Sequence, residues 1–154
     1  VLSGMNDEAH IDENIALAEQ GRPGMLASPE LDLVSRVART YRELMKVQCT
    51  GCGYCMPCPS DVSIPISFEM YNSMHMFDQP DHAKFGYAIR LSGDLTSGVS
   101  GYASQCVQCG ECIEKCPQQI PIPDVLEKVA AEMEDEGLPQ RLATAREIMM
   151  KEER

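Results

Sequence analysis

The sequence predicts a mainly α-helical chain. Three observations carry this: apolar residues recur at helical spacing along most of its length, strand signal is confined to the first five residues, and eight cysteines fall into two close-set quartets with helical sequence around them. A chain of 154 residues suffices for about one domain with short extras. It holds 5 Tyr, 3 Phe and no Trp, so something other than an aromatic core must organise it.

Val1-Leu2-Ser3-Gly4-Met5 reads as a short apolar strand and Asn6-Asp7-Glu8 as a helix start, with Ile11, Ile15 and Ala18 on an inward face. Ser28, Pro29 and Glu30 read as N-cap, first helical residue and acidic first turn. Leu31, Val34, Val37, Ala38, Tyr41, Leu44 and Met45 then mark one face of a helix that delivers the chain to Cys49. After the first quartet a helix is expected over 66–77, following Pro65 and burying Phe68, Met70, Tyr71, Met74 and Phe77. A second is expected over 82–91. Ser92-Gly93-Asp94 and Thr96-Ser97-Gly98-Val99-Ser100-Gly101 form a Gly- and Ser-rich loop into the second quartet. Pro123 and Asp124 open another helix, with Val125, Val129, Ala130 and Met133 inside and a stop at Gly137. The last helix covers 139–151, with Leu142, Ala145, Ile148 and Met149 on one face.

The quartets read C-x2-C-x2-C-x2-C-P at Cys49, Cys52, Cys55 and Cys58, and C-x2-C-x2-C-x3-C-P at Cys106, Cys109, Cys112 and Cys116. The second matches the bacterial ferredoxin run, in which three close thiolates grip one iron-sulfur cube and the fourth, before Pro, belongs to a neighbouring cube. Pro59 and Pro117 fix φ and lack an N–H, so each turns the chain just after its fourth cysteine. Gly53 and Gly110 occupy the same slot in both runs. The agreement continues: Cys58-Pro59-Ser60-Asp61-Val62-Ser63-Ile64-Pro65 aligns without gaps on Cys116-Pro117-Gln118-Gln119-Ile120-Pro121-Ile122-Pro123. Such a paired repeat suits crossed ligation, with Cys49, Cys52, Cys55 and Cys116 on one 4Fe-4S cluster and Cys106, Cys109, Cys112 and Cys58 on the other.

Disulfides fit poorly, because cysteines three apart in tight turns are badly placed for bridging. Two structural zinc sites fit the count, but zinc ribbons use pairs separated by a loop. His10, His75 and His82 lie outside both quartets and read as surface or core residues, the methionines read as core filler, and Glu132, Glu134, Asp135 and Glu136 read as a solvated helix end.

A formal charge of -11 removes the attraction behind non-specific nucleic-acid binding and favours a basic redox partner protein. No apolar run reaches the roughly 18 residues of a membrane span, so no membrane partner is expected. The chain opens at Val1 with no basic segment leading into an apolar one, which gives the expectation of a cytoplasmic protein cut from something longer.

The helical spacing around the quartets resembles the α-helical ferredoxin domains of fumarate reductase iron-sulfur subunits and heterodisulfide reductases. Cys49-Thr50-Gly51-Cys52-Gly53-Tyr54-Cys55-Met56-Pro57-Cys58-Pro59, with Ile64-Pro65 and the run from Cys106 to Pro117, more closely resembles the C-terminal ferredoxin extension of a branch of prokaryotic aldo/keto reductases, where the shorter first spacing is usual. That resemblance implies a mainly α, ferredoxin-like dicluster domain over 26–154, preceded over 1–25 by the last strand-helix unit of a (β/α)8 barrel. The barrel itself would be the N-terminal part of the full-length protein. It implies two 4Fe-4S clusters, electron transfer within an oxidoreductase, and NAD(P) in the full-length enzyme, with Gly4 and Asn14 at nucleotide-contacting positions. Gly4 and His10 stand where many members place a Lys or Arg for the ribose 2′-phosphate. The barrel's catalytic Asp, Tyr, Lys and His have no counterpart in this chain. Two other classes of function stay open: a structural metal domain, of cluster or zinc, that staples the C-terminus without redox work, and a cluster-based oxygen or redox sensor.

Overall fold

The computed structural model describes residues 4–94 and 98–152, with side chains through residue 148. The chain divides into two compact units, Val1–Arg39 and Thr40–Arg154. No strand occurs among the described residues.

In the first unit, helix α1 (Glu8–Gln20) starts where expected, because the Asp7 carboxylate accepts from the Ala9 N–H at 2.9 Å. Gly4 and Met5 are irregular rather than extended, and Val1, Leu2 and Ser3 of the expected strand lie outside the described residues. A strand is stabilised by a paired neighbour, and the described residues offer none. Ile11 and Ile15, expected to face inward, are exposed. Helix α2 (Ser28–Leu44) begins one residue early, with Ala27 as its cap: Glu30 Oε2 reaches back to accept from the Ala27 N–H at 2.7 Å. The apolar face of α2 is real as a pattern but not buried, since Leu31, Val34, Val37, Tyr41 and Leu44 are all exposed.

The second unit is a repeated device. Helices α3 (Ile64–Met76) and α6 (Ile122–Met133) each follow a quartet and each carry a proline in the first turn. Both start earlier than expected, with Pro65 and Pro123 second rather than first, because the Ile64 and Ile122 N–H groups turn back to the carbonyls of Val62 and Ile120 at 2.9 and 2.8 Å. The repeat lays equivalent residues in one core: Val62 with Ile120, Ile64 with Ile122, Phe68 with Leu126 and Tyr71 with Val129, all buried. Helix α4 (Pro80–Leu91) packs on α3 through Ala83, Tyr87 and Leu91, and α7 (Leu138–Glu152) packs on α4 with Ala145 buried. Phe77 caps α3 and is exposed, contrary to the expected face, as is Ile148 on α7; Met149 has no described side chain. In the Gly- and Ser-rich loop, Thr96 and Ser97 lie outside the described residues.

The acidic run 132–136 is not simply a solvated face. Helix α6 stops at Met133, short of Gly137, and Glu132, Glu134 and Asp135 are tied to other elements. Glu132 accepts from the Tyr71 hydroxyl at 2.6 Å and lies 3.1 Å from His75 Nε2. Glu134 accepts from the Tyr87 hydroxyl at 2.7 Å and the Ser104 N–H at 3.0 Å. Asp135 binds Lys84 at 2.6 Å and Arg141 at 2.7 Å, contacts that hold its carboxyl well below the usual range. Burial, then the Glu132 carboxylate, pushes the Tyr71 phenol up to about 12, and burial with Glu134 pushes Tyr87 in the same direction. A phenol whose folded pKa is raised contributes stability below its unfolded value of about 10 and loses it as pH climbs through the folded value. The midpoint of anaerobic urea unfolding should therefore fall steeply between about pH 10 and 12, with a shallower fall in Tyr71→Phe. An identical slope in the variant would show that Tyr71 takes no part.

Candidate metal centre

The local sequence builds both cysteine loops alike. Gly53 and Gly110 take φ of 76° and 80°, in the left-handed region that glycine adopts without a Cβ penalty, and their carbonyls accept from the N–H groups of Met56 and Ile113 at 2.9 and 3.0 Å. Gly51 and Gln108 share a second positive-φ slot, and Asp61 and Gln119 a third. After each fourth cysteine the turn closes in the same way, with the Asp61 and Gln119 N–H groups donating to the carbonyls of Cys58 and Cys116 at 3.0 Å. The loops differ where the first has Met56 and a cis peptide to Pro57, and the second has the short helix α5 (Glu111–Lys115).

Three polar contacts hold the loops in place. Asn72 of α3 accepts from the Val47 N–H at 2.9 Å and donates to the Val47 carbonyl at 2.7 Å, pinning the chain two residues before Cys49. The Gln105 amide accepts from the Ser100 hydroxyl and the Tyr102 N–H at 2.9 and 2.8 Å, and donates to the Ser60 carbonyl at 3.3 Å. It thereby ties the approach to Cys106 to the exit from the first quartet. Gly101 lies against Ser63, whose N–H donates to the Gly101 carbonyl at 3.0 Å, and a Cβ there would stand 2.5 Å from the Ser63 hydroxyl. Asn72→Leu should leave both buried Val47 groups unpaired at about 1–3 kcal/mol each, lowering the unfolding midpoint and releasing iron first from the quartet that follows Val47. Unchanged stability and iron content would remove Asn72 from this role.

The cysteines of the two loops interleave. One cavity is lined by Cys49, Cys52, Cys55 and Cys116. The other is lined by Cys58, Cys106, Cys109 and Cys112, and Cys55 also reaches its wall. Ile64, Phe68, Ile120 and Ile122 supply apolar wall to the first, and Ile64 and Leu126 to the second. Cys52 and Cys109 are exposed while the other six are half-buried. Burial pushes the Cys55 and Cys112 thiols up, a hydrogen bond from the residue's own backbone opposes this, and neighbouring thiolates of both loops push further. The Gly51 N–H lies 3.4 Å from Cys49 Sγ, a contact of the kind that tunes a cluster's potential. No three Cys, His, Asp or Glu side chains among the described residues are disposed to hold a single metal ion.

The donor set suits iron-sulfur cubes, which attach one thiolate to each of four separated irons. A tetrahedral zinc site instead draws four sulfurs to bonds of about 2.3 Å on one ion. The remaining named positions are elsewhere. Gly4 is exposed with open space around it, and the half-buried Asn14 donates its amide to the His10 carbonyl at 2.7 Å within α1. His10 and His82 are exposed, and His75 is engaged with Glu132. The contacts of Asn72 and Tyr87, and that of Gln105 with Ser60, carry no sequence signal, since these partners lie 16 to 47 residues away. No described helix is long and apolar enough to cross a membrane.

A family model described as a 4Fe-4S dicluster domain matches residues 48–120, the stretch from the first quartet through the second and its closing turn. No curated protein and no solved structure gives a significant match.

Proposed function

We propose that this similarity to a 4Fe-4S dicluster domain reflects two clusters held by crossed cysteines, in an electron-transfer module of an oxidoreductase. The observation that carries the reading is that Cys116 joins the first loop's Cys49, Cys52 and Cys55 around one cavity, and Cys58 joins the second loop's Cys106, Cys109 and Cys112 around the other, with Cys55 on the wall of both. The clusters, when bound, supply one-electron redox chemistry. The chain's own residues do the rest. Eight thiols would lose their protons to hold the metal as thiolates, a release that the raised thiols of Cys55 and Cys112 make more dependent on pH. Phe68, Ile120 and Ile122 keep water from one cavity and Leu126 from the other, while Ile64 and Cys55 line both. Cys52 and Cys109 leave each site a face on solvent.

The resemblance of the cysteine runs and of the first 20 residues to aldo/keto reductases supports placing the module at the C-terminal end of such an enzyme. There it would pass electrons between an external carrier and the nicotinamide or substrate of the barrel. NAD(P) would belong to the full-length protein, with Gly4 and Asn14 at its edge. In anaerobic stopped-flow with the full-length enzyme, reduction of the 400 nm-region chromophore should track NAD(P)H oxidation or carbonyl turnover. Cluster reduction that never tracks either would sink the relay and favour the structural role, in which the clusters only staple the helical unit together.

A further inference from the structure

Because the two cysteine loops repeat one backbone, their side chains can be compared slot by slot. Tyr54 of the first corresponds to Glu111 of the second, Thr50 to Val107, and Met56 to Ile113. Residues 49–59 carry no charged side chain, whereas the second loop carries Glu111, Glu114 and Lys115, all exposed. Two apolar side chains flank the exposed Cys109 in sequence and are open to solvent: Val107, 69% exposed, which lines the second cavity with Cys109, and Ile113, 44% exposed, whose Cδ1 lies 3.9 Å from where a Cβ would stand on Gly110.

Resting on the two-cluster reading, we propose that Val107 and Ile113, rimmed by Glu111 and Glu114, form the docking face for a mobile one-electron carrier protein whose contact surface is basic, and that the first loop is not that face. Charge complementarity selects the occupant. An apolar pair beside a solvent-facing thiolate gives a small patch that can be desolvated on contact, and redox encounters use small interfaces in which a few side chains decide the outcome. Carboxylates at the rim steer a basic partner and raise its association rate at low salt. Cys58, Cys106, Cys109 and Cys112 would hold the donor cluster, which would supply one electron to the oxidised centre of the docked carrier, with no proton or bond transferred. Glu111 and Glu114 also suit the start of α5, but a role confined to helix stability would leave the salt dependence of partner reduction untouched.

The test uses the full chain with both clusters loaded, reduced anaerobically with stoichiometric dithionite and mixed with a basic c-type cytochrome over a range of ionic strength. Glu111→Gln/Glu114→Gln should lower the second-order rate about tenfold at low salt and flatten its salt slope, the two proteins converging at high salt. Val107→Lys, which leaves α5 intact, should slow the reaction in the same direction. Asp12→Asn/Glu13→Gln removes equal charge outside the sequence of the second loop, Tyr54→Ala alters the first loop, and both should react like the parent. Parental rates in the Glu111/Glu114 and Val107 variants at full iron content, or an equal loss in Tyr54→Ala or the α1 variant, would overturn the assignment. A chain without reducible clusters would instead defeat the two-cluster reading itself.

Discussion

If the unit Thr40–Arg154 holds two clusters, anaerobic removal of iron and sulfide should unfold most of it: its far-ultraviolet helical signal should collapse and its cooperative thermal transition should disappear or fall by roughly tens of degrees. The reason lies in how the core is divided. Ile64, Phe68, Ile120, Ile122 and Leu126 are both the buried core between α3 and α6 and the walls of the two cysteine cavities. Emptying those cavities strips the walls of packing partners. It also removes the links between loops that lie 48 or more residues apart in sequence, whose closure must otherwise be met by a modest apolar core. Circular dichroism of chelator-treated protein against the holoprotein, both kept without oxygen, reads this directly. Retained helical signal with a cooperative transition within a few degrees of the parent would mean that the helices stand by themselves.

Cys58→Ser should abolish the cluster held by Cys106, Cys109 and Cys112 and spare the one beside it in sequence. Iron should fall from about eight to about four per chain, and Cys116→Ser should do the reverse damage. The argument is geometric. Pro59 follows Cys58 and the Asp61 N–H closes the turn behind it, so Cys58 lines the cavity of the second loop while Cys116 lines that of the first. A serine hydroxyl is a far harder, less acidic donor than a thiolate, and three remaining ligands leave one iron open to solvent and loss. Site-resolved paramagnetic NMR reports which cysteines still carry a cluster. Loss of the shifted signals of Cys49, Cys52 and Cys55 in Cys58→Ser would establish local ligation instead.

The helices α3, α6 and α7 were legible because a proline stands in each first turn and apolar residues recur at helical spacing. Their first residues were misplaced by one or two positions because that proline is the second helical residue, and α4 was placed two residues late because Pro80, its first residue, was not read as a start. The end of α6 was placed at Gly137 on a glycine rule, whereas Glu134 leaves the helix to meet Tyr87 and Ser104, partners no local pattern announces. The same long-range pairing turned a run that reads as solvated acid into an anchor for α3, α4 and α7. The 3-10 turn Ala103–Gln105 and helix α5 are too short to show periodicity. The face of α2 illustrates the opposite limit: amphipathic spacing identifies a helix but not whether anything covers it. The interleaving of the cysteines was legible because the repeat runs past them into Val62-Ser63-Ile64-Pro65 and Ile120-Pro121-Ile122-Pro123, so both halves were bound to build the same turn.

Iron, acid-labile sulfide and zinc content, with a visible spectrum before and after dithionite on protein purified without oxygen, tests the two-cluster reading most directly. The account predicts about eight iron and eight sulfide per chain and a brown band that bleaches on reduction. About two zinc with no sulfide would contradict it and leave a structural metal domain in its place.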